Sequence, residues 1–248
     1  MLKSTLVIAL LAAAICSATA HAGPYADGIC SYTLGVDGGY GLNYLPGNIC
    51  GPPDFNFNEF RRDVLESEIF SLGIGGSAVV EFRDNLVVDG LGVDFTVFEN
   101  GLIDLRNGRR FYEGAEVFAS ADGLTFFDLG YAQGAMTGMT YNAIYDDPSF
   151  NPLDPAVSGG DSFDIAIDKN GAATGLVNAR YVKLVDDGDG ASSGAGSSGF
   201  DLDAIAAVHS VAIPEANARL LIGAAFCGLT TAIATRARRG FSMNKKEN

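Results

Sequence analysis

Seven apolar runs of five to seven residues, at 77–82, 93–98, 115–120, 124–129, 163–167, 181–185 and 202–208, set the scale of any structure this chain can form. They are rich in Val, Ile, Phe and Tyr, which pack well on a pleated surface. Between them stand Asp89-Gly90, Asn107-Gly108, Asp122-Gly123 and Asn170-Gly171, dipeptides suited to tight turns. With 32 glycines, no tryptophan and little helical periodicity, the pattern predicts an all-β fold, a jelly-roll-like β-sandwich. Asp122-Gly123 joins two runs closely enough for a hairpin. One helix is expected at 57–70, where Asn58 can cap and Glu59, Arg61, Arg62, Glu66 and Glu68 alternate with apolar positions.

The two ends have a different character. Lys3, the apolar stretch 6–15 and the small-x-small triplet Ala20-His21-Ala22 read as a signal peptide over residues 1–22, with an N-terminal signal helix. Ile15 is bulky where lipid attachment at Cys16 would need a small neighbour. After a β-sandwich ectodomain at 23–210, residues 211–217 form a linker containing Pro214 and Glu215. An apolar segment at 218–235 reads as a C-terminal transmembrane helix, and 236–248 is a basic tail with Arg236, Arg238 and Arg239. The positive-inside rule would keep that tail cytoplasmic and the ectodomain outside.

The order Pro214-Glu215, apolar run, basic end resembles the PEP-CTERM sorting tail, with Ala216 where that motif has its second Pro. The resemblance implies recognition by an exosortase-type sorting protease in a Gram-negative bacterium that makes extracellular polysaccharide. It implies transient anchoring in the inner membrane through the C-terminal helix, then display at the cell surface or release. Gly51-Pro52-Pro53-Asp54, the segment Ser71-Leu72-Gly73-Ile74-Gly75-Gly76-Ser77, the segment Asp94-Phe95-Thr96-Val97-Phe98-Glu99-Asn100-Gly101 and Gly199-Phe200-Asp201-Leu202-Asp203-Ala204 occur in the order seen in PEP-CTERM surface proteins. Residues 116–130 and 179–185 are similar to galactose-binding-like, discoidin-type sandwiches, which implies an architecture rather than an activity.

Between Gly23 and Ile213 lie 28 acidic and nine basic residues, a net charge of −19. Such a surface excludes nucleic acid as a partner and tolerates divalent cations and neutral sugars. Two cysteines fall in this stretch, Cys30 and Cys50, and an even pair in an oxidising compartment is expected to form a disulfide across a glycine-rich loop.

Carboxylates are the chemical candidates. Asp186, Asp187 and Asp189 end one expected strand, while Asp201 and Asp203 open the next and share a face under two-residue alternation. With Glu99, which follows an apolar strand, these hard oxygens form a candidate Ca²⁺ site. The competing reading is a solvated acidic turn, and an EF-hand register is absent because the twelfth position from Asp187 is Ser198. His209 is the one histidine after residue 22, so no Ser/His/Asp or Cys/His set assembles. The resulting expectation is a non-enzymatic, calcium-stabilised surface protein, adhesive or associated with extracellular polysaccharide. The alternative is a carbohydrate-active enzyme, a glycoside hydrolase pairing Glu99 with Glu116 or Asp203.

Overall fold

Strand alternation builds the core. In the computed structural model, which describes residues 23–53, 65–100, 102–104, 109–111, 113–132, 151–189 and 196–213, fourteen strands are all antiparallel where they pair. Five of them, β1 (Gly28–Thr33), β3 (Ser77–Glu81), β12 (Tyr181–Asp186), β8 (Ala115–Ser120) and β9 (Phe127–Ala132), form one sheet in that spatial order. A second sheet runs β10 (Asp161–Phe163), β5 (Phe95–Glu99), β13 (Asp201–Ala207), β2 (Phe70–Ser71). Smaller sheets join β11 (Asn178–Ala179), β4 (Asn85–Val88) and β14 (Ser210–Ala212), and β6 (Leu102–Asp104) with β7 (Arg109–Phe111).

On β12, Val182 and Leu184 are buried between half-buried Tyr181, Lys183 and Val185, and Ala78, Val80, Val117 and Ala119 point the same way from its neighbours. Phe70, Phe95, Val97, Leu202 and Ile205 of the second sheet belong to the same apolar cluster, so the two sheets share one core. Each fully buried Phe, Leu or Ile contributes about 1.5–3 kcal/mol relative to exposure. β5 and β13 are buried along their whole length. Their second face, at Phe98, Ala204 and Ala206, is covered by Tyr25 and Leu153. All of this lies within the compact unit Ala22–Ile213.

Local side-chain chemistry moves several strand boundaries. Oδ1 of Asp122 accepts from the backbone N–H groups of Leu124 and Thr125 at 2.8 and 2.9 Å, so the hairpin turn is longer than expected and β9 starts at Phe127. Asp164 similarly accepts from the N–H of Ala166 at 2.8 Å and ends β10 at Phe163, short of the expected 163–167 strand. The helix expected at 57–70 is not found in its described part: 65–69 is a turn in which Glu68 accepts from the N–H of Leu65, and Phe70 opens β2. Residues 54–64 lie outside the described residues.

The all-β expectation stands, but its helical additions are corrected. Among the described residues there is no α-helix, only two 3₁₀ turns at Leu42–Tyr44 and Gly47–Ile49. No helix there is long and apolar enough to cross a membrane. The signal helix at 1–22, the transmembrane helix at 218–235 and the sorting residues Pro214, Glu215, Arg236, Arg238 and Arg239 fall outside the described residues. Membrane anchoring, partnership with an exosortase and inner-membrane localisation therefore gain no helix to rest on. The expected disulfide is also absent, since Cys30 and Cys50 are both free thiols. Cys30 lies at the β1 bulge, exposed, and donates toward Oε2 of Glu81 at 3.4 Å. Cys50, half-buried, packs instead against the core, where burial pushes its thiol up to about 11.

Candidate functional site

The central pair β5 and β13 carries acidic residues at both ends. Asp94 precedes β5 and Glu99 closes it, five residues and roughly 17 Å apart at strand rise. Asp201 opens β13, and His209 follows its far end.

At the Asp94 end, three carboxylates from two loops converge. Asp89 is exposed, Asp94 is fully buried and Asp164 is half-buried, and one oxygen from each lies within 4.8 Å of the others. The fold positions Asp94 firmly. Its Oδ1 accepts from the N–H of Gly90 at 2.7 Å and contacts Nδ1 of His209 at 3.0 Å, while Oδ2 accepts from the N–H of Ile165 at 2.9 Å. Its backbone carbonyl accepts from the N–H groups of Val208 and His209. Gly90 is required for this packing, because a Cβ there would sit 2.2 Å from Nδ1 of His209. The cluster can chelate a divalent metal ion, and its convergence is that of a catalytic or metal centre. That finding overturns the expectation of a strictly non-enzymatic, adhesive protein.

At the Glu99 end, the carboxylates are deeper and less satisfied. Glu113 accepts from the N–H of Gly199 at 2.8 Å through Oε1, and Oδ1 of Asp201 accepts from the hydroxyl of Ser71. The N–H of Glu113 faces the Glu99 carboxyl, whose Oε2 is buried with no partner. Burial raises all three acids, chiefly by desolvation, with neighbouring acids adding. Glu99 is driven well above the ordinary carboxylate range, with Asp201, Glu113 and Asp161 adding to the effect. Glu113 is pushed up to about 8, with Asp201, Asp186 and Asp187 adding, and Asp201 to about 7, with Asp186 adding. The side chain of Asn100, 2 % exposed, also has neither amide atom hydrogen-bonded.

Of the acids expected to form a metal site, Glu99 and Asp201 come together here. Asp186 lies beside them, but both its oxygens are engaged: Oδ1 by the N–H groups of Gly75 and Gly188 at 2.7 and 3.0 Å, Oδ2 by that of Phe200 at 2.8 Å. It fastens the 199–201 segment to the first sheet. Asp187 accepts from the N–H of Asp189 in a local turn, and Asp189 is exposed. Asp203 sits at a bulge of β13, between Leu202 and Ala204, which interrupts the alternation expected to align it with Asp201. Glu116 is exposed on β8 of the other sheet, so the Glu99–Glu116 pair does not form. Sequence reasoning missed Glu113, and it passed over Asp89, Asp94 and Asp164 as turn and strand residues. A usable signal was there, since Asp94 and Asp164 each interrupt an apolar run with a charge that a buried strand must satisfy.

Compared with known proteins, the chain matches no family model and has no significant similarity to any curated protein. The all-β, multi-sheet architecture, consistent with a β-sandwich, is therefore carried by the structure alone.

Proposed function

We propose that this chain is a carbohydrate-active enzyme, a glycoside hydrolase working through paired carboxylates, with Asp89 and Asp164 as the pair. The observation that carries the reading is the meeting of Asp89, Asp94 and Asp164 oxygens within 4.8 Å at a solvent-reachable edge. Hydrolysis of a glycosidic bond needs one carboxylic acid to protonate the leaving oxygen as the C–O bond breaks, and a carboxylate to stabilise the oxocarbenium-like centre before water adds. Oxygens within 4.8 Å of one another leave less than the roughly 6.5–9.5 Å that inversion requires, which favours the retaining arrangement. Asp94, with its oxygens occupied, and His209 are positioning residues that hold Gly90 and, through it, the Asp89 loop. The acidic surface suits a neutral glycan better than an anionic one.

The test is release of reducing ends from a panel of neutral oligosaccharides, with anomeric configuration followed by NMR. Asp89→Asn and Asp164→Asn are each expected to slow turnover by about 100-fold or more, with retention of configuration in the parent protein. Absence of hydrolysis across the panel, or wild-type rates in both variants, overturns the reading. The same convergence of oxygens favours a second reading, a divalent cation held by the triad, for which hard oxygen donors suit Ca²⁺. Loss of activity on chelation, restored by Ca²⁺ and abolished by Asp164→Asn, would select it over proton chemistry alone.

A further inference from the structure

An unpaired strand edge presents a row of N–H and C=O groups that water or another strand must satisfy, and folded proteins guard such edges with charge, bulges, covering loops or short length. Most edges of this molecule are guarded. Among the described residues, β10, β2, β11 and β14, which end their sheets, are two or three residues long. β9 has six residues, but its edge is covered. The N–H of Lys169 donates to the carbonyl of Asp128 at 2.9 Å, the Lys169 ammonium pairs with the Asp128 carboxylate at 2.6 Å, and Gly130 takes φ +121° at a bulge opposite Val117 and Phe118.

β1, at the opposite end of the same sheet, is as long and far more open. β3 pairs along one side of it, and no described strand pairs along the other. Arg83 shields its start, since a Cβ on Gly28 would lie 2.4 Å from the guanidinium carbon, and the strand bulges at Cys30. Beyond that point Ser31, Tyr32 and Thr33 are all exposed. From Gly28 to Val36 there is no charged residue, although 28 acidic and nine basic residues leave −19 between Gly23 and Ile213. The sandwich is open on this side as well. Tyr32 pairs with buried Ala78 and so shares its core-facing side, yet it is 45 % exposed, with its ring edge-on to Phe70 of β2 at 5.7 Å. Leu34 and Val36, 39 and 66 % exposed, extend this apolar flank.

We propose that β1 is a homodimer seam, at which two copies of the chain pair their β1 strands antiparallel about a two-fold axis and cover each other's Tyr32, Leu34 and Val36. Five strands from each copy then form one ten-stranded sheet. Identical strands are self-complementary under such an axis, because the N–H and C=O groups of one meet those of the other. A second copy is the occupant because the seam must join two strongly acidic bodies, and this edge lets them meet without setting carboxylates against each other. A basic or acidic partner would need a charge to recognise, and 28–36 offers none. With one strand pair and a narrow apolar flank in contact, the dimer is concentration-dependent rather than permanent. The seam is separate from Asp89, Asp94 and Asp164, which flank β4, β5 and β10, so it stands whether or not that cluster hydrolyses glycans.

The experiment is sedimentation equilibrium of the full chain over a wide range of concentration, with hydrogen–deuterium exchange recorded on the same samples. The parent protein is compared with Ser31→Lys and with Leu124→Lys, which adds the same charge at an 86 % exposed residue of the β8–β9 turn. The expected result is a shift from monomer to dimer mass as concentration rises, with slower exchange at 28–36 in step. Ser31→Lys should weaken the dimer by about tenfold or more, and Leu124→Lys should leave it unchanged. If Ser31→Lys does not fold, Val36→Lys takes its place. A monomer at every concentration overturns the proposal, as does a dimer in which 28–36 exchanges as fast as in the monomer. Slow exchange of 28–36 already in the monomer overturns it too, by showing that the chain itself covers the edge. Dissociation by Leu124→Lys but not by Ser31→Lys would move the contact to the other end of the sheet and overturn it as well.

Discussion

At one end of β5, Asp94 is buried with both oxygens hydrogen-bonded; at the other, Glu99 is buried with Oε2 unpartnered and further acids around it. One precedes the strand and the other closes it, at comparable depth. What separates them is the supply of donors. Around Asp94, Gly90 and Ile165 turn their N–H groups inward and His209 adds a ring nitrogen, so the carboxylate is an organising group for three loops. Around Glu99, the nearby backbone donors are shared among several carboxylates, and the remainder must be neutralised by something else. Burial of an acid is thus no guide to its role until its donors are enumerated.

The largest effect is expected at the satisfied end. Asp94→Ala strips the acceptor from Gly90, Ile165 and His209 together, leaving buried donors unpaired, and should lower stability by about 3 kcal/mol or more in urea unfolding. A loss under 1 kcal/mol would mean that water replaces the carboxylate and that the two ends are less different than the hydrogen bonds imply.

Next comes the response to pH, which should belong to the Glu99 end. Glu113 and Asp201 have folded values raised to about 8 and about 7, so the folded chain holds protons that the unfolded chain has lost. Stability should be greatest near and below the ordinary carboxylate range and fall as pH rises from about 4.5 through 8. Asp186 acts on both groups and Asp187 on Glu113, and Glu99, itself raised well above the ordinary range, steepens the fall. Urea midpoints at successive pH values measure the slope, and a rise across this interval would show that the acids are not charged against one another.

A smaller change of opposite sign is expected from Glu99→Gln. At neutral pH, removing an ionisable group from this crowded place should raise stability by about 1 kcal/mol. The equivalent exchange at the other end, Asp94→Asn, should lower it, because an amide presents an N–H₂ group toward donors that need an acceptor. Both variants destabilising to the same degree would remove the contrast between the two ends.

How far this was readable from the chain depends on the kind of contact involved. The alternation of β3, β8 and β12 is local, so the runs at 77–82, 115–120 and 181–185 match observed strands within a residue or so. Where a side chain captures nearby N–H groups, as Asp122 and Asp164 do, a run ended or began elsewhere, because apolar content carries no record of that competition. Short strands such as β2 and β11, two residues each, are created by their partners rather than by their own sequence. The acidic centres show the same division. Glu99 and Asp201 stand at strand ends with visible apolar flanks, whereas Glu113 joins them only because Gly199, 86 positions away, donates to it. The cysteines failed for the same reason: even count and compartment say nothing about whether β1 and the turn at Cys50 present their thiols to each other.

The smallest stability effect is expected at Asp89, and it is the most informative about function. Asp89 is exposed, and the one hydrogen bond that places its backbone, from its N–H to the carbonyl of Val177 at 3.2 Å, does not use the side chain. Asp89→Asn should therefore change unfolding free energy by less than about 0.5 kcal/mol. Any loss of glycan hydrolysis in this variant must then come from the missing carboxylate, with the Gly90–Asp94–His209 bonds intact. A stability loss comparable to that of Asp94→Ala would instead make Asp89 part of the scaffold, and the open end of β5 would become a second structural centre rather than a reactive one.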